Sequence, residues 1–275
     1  MTDCFTVAQP LIFSGVGIHS GRPSQIVLKP KQTAGCVFVH SVSKQTLAIA
    51  PQNLLEMDRG TCLQNKGMKV FTIEHLLCAL YAHQIFAVEI EINSEEIPIF
   101  DGSAKKYFDD LKNIKKQKIS AALDSLKIKK EIRLEKNRSY LLAKPADHFE
   151  IDLTIDFPKP IGVQKLKFRE KDWQSFGEQI APARTFGAMS DLETLQAKGL
   201  SQGVSHDNAV GYSDQGYTKP LLWPDEPARH KLLDLIGDLF VLGRPLQAHI
   251  EAYCPGHTLN GRLVKALDAQ TDKVS

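Results

Sequence analysis

The 275-residue chain has no long uninterrupted hydrophobic run. Its most apolar stretch, FTIEHLLCALYAHQIFAVEIEI, is broken by Glu74, His75, His83, Glu89 and Glu91, which excludes a membrane-spanning helix there. Cysteine is scarce and scattered: Cys4, Cys36, Cys62, Cys78 and Cys254 are odd in number and form no CxxC pair. That excludes a disulfide framework and a zinc knuckle, and predicts a reducing cytoplasm where single cysteines serve as small hydrophobes. An excess of charge of one sign is also missing, since 34 Lys and Arg face 32 acids for a net charge of +2. Such balance gives a nucleic-acid partner no electrostatic basis. The opening MTDCFTVAQPLIFSG lacks a basic n-region and an apolar core, so no secretory signal is expected. No low-complexity tract or short-period repeat is present.

Hydrophobic residues at 43% and charged residues at 24% are the proportions of a soluble globular protein with room for a sizeable core. The first part reads as short strands and Gly-rich turns (SGVGIHSGR, SQIVLKP, GCVFVHS). TIEHLLCALYAHQ then predicts a helix with Thr72 as N-cap and Leu76, Leu77, Leu80 and Tyr81 as its apolar face. FAVEIEIN alternates as a half-buried strand. After the lysine-rich KNIKKQKISAALDSLKIKK, strands begin again, followed by a helix with a Ser190/Glu193 capping box and a Gly199 stop. PDEPARHKLLDLIGDLFVLG and TLNGRLVKALDAQ are further helices, with LQAHIEAY a strand between them. Strands and helices thus come in two successive sets, which predicts an α+β fold of two layered domains. We place these at 1–115 and 126–275, joined by a charged linker at 116–125.

The chemistry concentrates in a few places. His230, Asp234 and Asp238 recur every fourth residue and fall within about 80° of one another on a helix. Opposite an apolar arc of Leu232, Leu233, Ile236, Leu239 and Phe240, such a stripe is either a solvated face or a metal grip. Two like charges four apart with no lysine in register disfavour the plain surface, and an imidazole with a carboxylate one turn away suits zinc. Glu74 and His75 stand side by side on another helix, pointing about 100° apart. One can bind metal while the other faces a water, the division of labour in a metal hydrolase, although a polar first turn of an amphipathic helix has the same pattern. His257, in YCPGHTLNG, is either structural or the partner of Asp238, and such a pair can stabilise an oxyanion and protonate a leaving amine. SGVGIHSGR lacks the strand–helix setting of a nucleotide loop and reads as a tight turn near a ligand, with His19 structural.

GVGIHSG, TIEHLLCAL, EIPIFDGSA, ARTFG, DEPARHKLLDLIGDL and GHTLN, in this order, resemble the UDP-3-O-acyl-N-acetylglucosamine deacetylase family from about residue 5 to 268. That resemblance implies two similar α+β domains, each a two-layer sandwich, with the active site between them. It implies a monomeric cytoplasmic enzyme of Gram-negative lipid A (lipopolysaccharide) biosynthesis that removes the 2-N-acetyl group from an acylated UDP-sugar. It further implies Zn2+ on His75, His230 and Asp234, with Glu74 as general base and His257 as general acid oriented by Asp238. Thr185 corresponds to a hydroxyl on the tetrahedral intermediate, Lys231 to a contact with the polar head, and Phe186 and Asp191 to the sugar–uridine site. An insert at about 187–212 corresponds to an acyl-chain passage. Neither nucleic acid nor stable membrane insertion is implied.

The chain departs from the family pattern at Cys254, where a basic residue is common three positions before the catalytic histidine, and at Val204 and His206 in the insert. These positions keep open a zinc amidase for a different N-acyl substrate, beside a second alternative of another class, a non-catalytic relative that binds an acylated sugar nucleotide. The second has no use for a general base.

Overall fold

The computed structural model describes residues 2–270; residues 271–275, included in the expected second domain, lie outside the described residues. The fold is α+β. Six helices are present among the described residues: α1 (Glu74–Ala82), α2 (Lys105–Asn113), the single turn α3 (Phe176–Gln179), α4 (Met189–Ala197), α5 (Glu226–Leu239) and α6 (His257–Asp268).

One connectivity occurs twice. In the first half the sheet order is Leu11–Val16, Pro23–Pro30, Val88–Ile92, Val37–His40, Thr46–Ala48. In the second it is Ile132–Lys136, Ser139–Pro145, Leu246–Tyr253, Phe149–Phe157, Gly162–Arg169. Each sheet pairs a hairpin antiparallel to its central strand and a second hairpin parallel to it. A short strand, Leu126–Lys127, adds to the edge of Leu246–Tyr253 in the second sheet. Both central strands arrive late in their half, flanked by helices: α1 and α2 around Val88–Ile92, α5 and α6 around Leu246–Tyr253. The alternation that marks these strands in the sequence is their burial: Val88, Ile90 and Ile92 face inward while Glu89 and Glu91 face the wet side.

The lysine-rich segment expected as a charged linker is ordered. Lys116–Leu123 is a strand paired antiparallel with Thr2–Val7, and it buries Ile119 while its lysines point outward. The lysines describe only the outer face of that strand, so a reading based on charge missed the pairing.

Two smaller three-stranded sheets serve the site. One, Leu54–Leu55 with Cys62–Asn65 and Met68–Phe71, delivers the chain into α1. The other, Phe186–Ala188 with Val210–Ser213 and Gly216–Tyr217, frames α4 in the insert. α1 and α5 pack against each other and join the apolar interiors of both halves into one core. The contact is close because of Gly237. A Cβ there would stand 2.2 Å from the Glu74 carbonyl oxygen, so only glycine lets α5 rest on the backbone of α1.

Two expected caps are absent. Thr72 sits at φ 60 and its hydroxyl donates to Glu96, so Ile73 is the N-cap of α1 and makes no side-chain cap bond. Ser190 lies inside α4, which starts at Met189. In both cases a tertiary partner or the preceding strand set the boundary, a choice that local propensity does not encode. Gly199, with φ 74, ends its helix as expected. No helix among the described residues is long and apolar enough to cross a membrane.

Candidate metal centre

α5 is where the two readings of the acidic stripe separate. His230, Asp234 and Asp238 are each 2–3% exposed, so the stripe is no solvated face. It is turned against α1, whose residues from Glu74 to Tyr81 are all buried. Because α1 begins at Glu74, its first turn offers Glu74 and His75 to the same place. His75, His230 and Asp234 each direct one ligand atom to a common point, these atoms lying within 4.8 Å of one another.

The protonation states suit a cation. Burial pushes the His75 imidazole down to about 3, with the neighbouring His230 adding to the effect. Burial also lowers His230, so both rings are neutral at pH 7 and offer lone pairs. The His230 Nδ1–H donates to the Ala183 carbonyl at 3.0 Å, which leaves Nε2 to face Asp234 Oδ1 at 3.4 Å. Such a carbonyl is the usual means of fixing the tautomer of a metal-binding histidine. Burial alone would raise the Asp234 carboxyl, but the Lys231 ammonium first, and the His257 imidazolium after it, outweigh burial and hold the group ionised. The His75 Nδ1 is buried without a hydrogen-bond partner. Two neutral imidazoles and one carboxylate, their ligand atoms converging, fit a divalent ion such as zinc.

Beside the triad stands an acid–base pair. Burial lifts the Glu74 carboxyl to about 7; Asp234 and Asp238 reinforce the shift, while the His257 charge and the Thr61 amide oppose it. Burial disfavours charge on His257, but Asp238 and Glu74 prevail and raise it to about 9. His257 is therefore an imidazolium at neutral pH. Its Nδ1–H donates to Asp238 Oδ2 at 3.0 Å, and its Nε2 lies 3.9 Å from Glu74 Oε1 and 3.7 Å from Asp234 Oδ2. Glu74, Asp234 and His257 also converge within 4.8 Å, but a protonated ring is no ligand, so the two neutral histidines make the better cation site.

A cavity of about 620 Å³ opens onto this group. Glu74, His75, His230, Asp234, His257, Thr185, Lys231, Phe186 and Asp191 all line it, while Asp238 stands behind His257. Near the metal point the walls are polar. Towards the insert they become apolar through Met189, Leu192, Leu195 and Val210. Val204 and His206 lie on this wall, whereas Cys254, at φ 47, turns its thiol towards the Asp156 carbonyl. The Lys231 ammonium meets Asp234 Oδ2 at 2.8 Å and lies 5.7 Å from the Phe186 ring centroid. Asp191, at the mouth, is paired with Arg59 at 3.0 Å. The GVGIHSG turn approaches the cavity through Ile18 and His19, and buried Glu96 anchors it by accepting the amides of His19 and Ser20.

Sequence reading missed three supports. Thr61 and Asn260 both donate to Asp238. Asn260 follows His257 by three residues on α6, a same-face spacing that was there to be used. The third is the buried Glu226 carboxylate in the first turn of α5. It accepts from the Arg184 Nε at 2.8 Å, the Arg184 Nη2 at 3.0 Å and the Leu222 amide at 2.7 Å, and so pins the Ala183–Thr185 segment to α5. Nothing in the sequence marks Arg184 and Glu226 as partners, since 42 residues separate them.

A family model of UDP-3-O-acyl N-acetylglycosamine deacetylases matches residues 5–269. Proteins named UDP-3-O-acyl-N-acetylglucosamine deacetylase are similar over nearly the whole length. The one from Nitratidesulfovibrio vulgaris is 37% identical over 96% of this chain and 87% of its own. That from Shewanella violacea is 37% identical over 97% and 90%, and that from Geotalea uraniireducens 31% over 97% and 89%.

Proposed function

The chain belongs to the UDP-3-O-acyl N-acetylglycosamine deacetylase family, and from that premise we propose how its own residues carry out the hydrolysis. The protein is an amide hydrolase that removes the N-acetyl group of UDP-3-O-acyl-N-acetylglucosamine. In our reading this is the committed step of lipid A synthesis, performed in the cytoplasm by two α+β domains, 1–115 and 126–275, joined by 116–125. The observation that carries the mechanism is the meeting of His75, His230 and Asp234, with Glu74 on one side and the His257–Asp238 pair on the other.

We assign His75, His230 and Asp234 as the ligands of a zinc ion. When bound, the ion supplies Lewis acidity to the amide carbonyl and to the attacking water. Glu74 takes the water's proton; a carboxyl poised near neutrality suits that task. The His257 imidazolium donates to the developing oxyanion and then gives its proton to the leaving amine, while Asp238 holds the ring and its charge. The Thr185 hydroxyl, on the cavity wall, adds a second donor to the oxyanion. Lys231 addresses the polar head, Phe186 and Asp191 the sugar–uridine portion, and the insert at about 187–212 receives the acyl chain. The change from polar to apolar lining supports that orientation, and the volume is that of a small-molecule site. The products are acetate and the free 2-amino sugar nucleotide, still 3-O-acylated.

The test is acetate release from UDP-3-O-(3-hydroxyacyl)-N-acetylglucosamine by zinc-loaded protein, with Glu74→Ala alongside. Release that falls by about 10²–10⁴-fold in the variant supports the assignment. Absence of release across several chain lengths from folded, zinc-loaded protein refutes it.

A further inference from the structure

One side chain outside the assigned chemistry touches both of its arms. Thr61, buried at the start of the strand Cys62–Asn65, donates its amide N–H to Glu74 Oε2 at 2.8 Å. Its hydroxyl donates to Asp238 Oδ1 and lies 3.4 Å from His257 Nδ1. The His257 Nδ1–H is already given to Asp238 Oδ2, so the nitrogen cannot accept, and the hydroxyl proton goes to the carboxylate. Asn260 Nδ2 binds Oδ2 as well, at 2.7 Å. The Asp238 carboxylate is thus fixed at Oδ1 by Thr61 and at Oδ2 by Asn260 and His257.

We propose that Thr61 is a positioning residue that sets the Glu74 carboxylate and the Asp238–His257 pair in one frame. The inference rests on the functional reading above. The hydrogen bonds of Thr61 go to Glu74 and Asp238, with His257 close by, and it belongs to the first half of the chain whereas Asp238, His257 and Asn260 belong to the second. A β-branched side chain, restricted in its χ1 rotation, is a stiff spacer for that purpose. Without its hydroxyl, Asp238 Oδ1 faces a methyl group in a buried site, and the carboxylate is free to rotate about its bonds to His257 and Asn260. The imidazole then loses its aim at the cavity, while the substrate's binding walls are untouched.

The experiment compares Thr61→Val, Thr61→Ala and Thr61→Ser with wild type. Losing a hydrogen bond to a charged group in a buried site corresponds to about a 10- to 100-fold fall in kcat for Val and Ala. KM should stay within about threefold and zinc affinity within about twofold, and Ser should restore most of kcat, since each loss would be of orientation alone. The second readout is independent of activity and of metal. The downfield proton resonance of the His257 Nδ1–H, sharp in metal-free wild type and Ser protein, should broaden by exchange in Val and Ala. A kcat within twofold of wild type for Val, or an unchanged proton resonance, overturns the proposal. If Val and Ala both lose the native melting transition, Thr61 is structural and the proposal is likewise overturned. If wild type itself releases no acetate, the functional reading fails, while the proton resonance still decides what Thr61 does.

Discussion

Gly237→Ala separates two opposed physical expectations. In an exposed helix, replacing glycine with alanine stabilises by about 1 kcal/mol through backbone entropy and helix propensity. Here the new Cβ would lie 2.2 Å from the Glu74 carbonyl oxygen, 2.8 Å from its carbon and 2.9 Å from its Cα, all atoms of a neighbouring backbone that cannot swing aside. Restoring ordinary contact requires α5 and α1 to part by about 1 Å. Overpacking of this kind costs about 3 kcal/mol, so the expected net loss is roughly 2 kcal/mol after the propensity gain. For a chain of this size that is a fall in Tm of about 4–8 °C. The same separation pulls His230 and Asp234 away from His75, because Gly237 shares their stripe on α5. Zinc affinity should drop by at least about tenfold and kcat/KM by roughly 100-fold, as misplacement on the ångström scale implies. Differential scanning calorimetry of the metal-free protein, with competitive zinc titration, measures both quantities. A Gly237→Ala protein with raised Tm and unchanged zinc affinity would refute the backbone-contact argument.

Glu226 gives a pH-dependent prediction. Burial would raise its carboxyl, yet the Arg184 guanidinium and the Leu222 and Arg184 amides hold it below the usual range. A lowered folded value means stability present above the unfolded carboxyl value of about 4.3 and lost as pH falls through the folded one. Glu226→Gln should therefore lose about 3 kcal/mol in urea titrations at pH 7, with a smaller deficit at pH 3; an equal deficit at both refutes the charge argument. Adding zinc to metal-free protein at 100 times its Kd should stabilise by about 2.7 kcal/mol, reversed by a chelator. That increment should vanish in His75→Ala, and its persistence there would exclude His75 as a ligand.

The periodic signals in the sequence translated directly into structure. Alternation in FAVEIEIN and LQAHIEAY fixed which strand residues face inward, and the fourfold spacing of His230, Asp234 and Asp238 put all three on the α1 side of α5. What stayed hidden was non-local. The Lys116–Leu123 strand is defined by its partner at the other end of the first half, and the Thr72 hydroxyl serves Glu96 rather than a cap. Thr61 acquires meaning only when Asp238, 177 residues later, arrives beside it. Of the groups that line the cavity, spacing on one element singled out Glu74, His75, His230 and Asp234, whereas Thr185, Lys231, Phe186 and Asp191 came only through the family resemblance, and the supports behind them are pairs across elements.

The doubled topology bears on the order in which the molecule is made. In the first sheet the central strand ends at Ile92, so all five strands exist once a third of the chain has been synthesised. In the second, the strand that joins both hairpins is Leu246–Tyr253, nearly the last element, and neither hairpin can pair with its centre before it. On a ribosome the first sheet can therefore close early, whereas the second waits with two exposed hairpins for about 80 residues. Pulsed hydrogen exchange during synthesis should protect Val88–Ile92 well before Phe149–Phe157. Simultaneous protection would mean that the first half needs the second in order to fold. His230 and Asp234 on α5 and His257 on α6 are made in or after that late stretch, so on the proposed assignment the site is completed only near the end of synthesis.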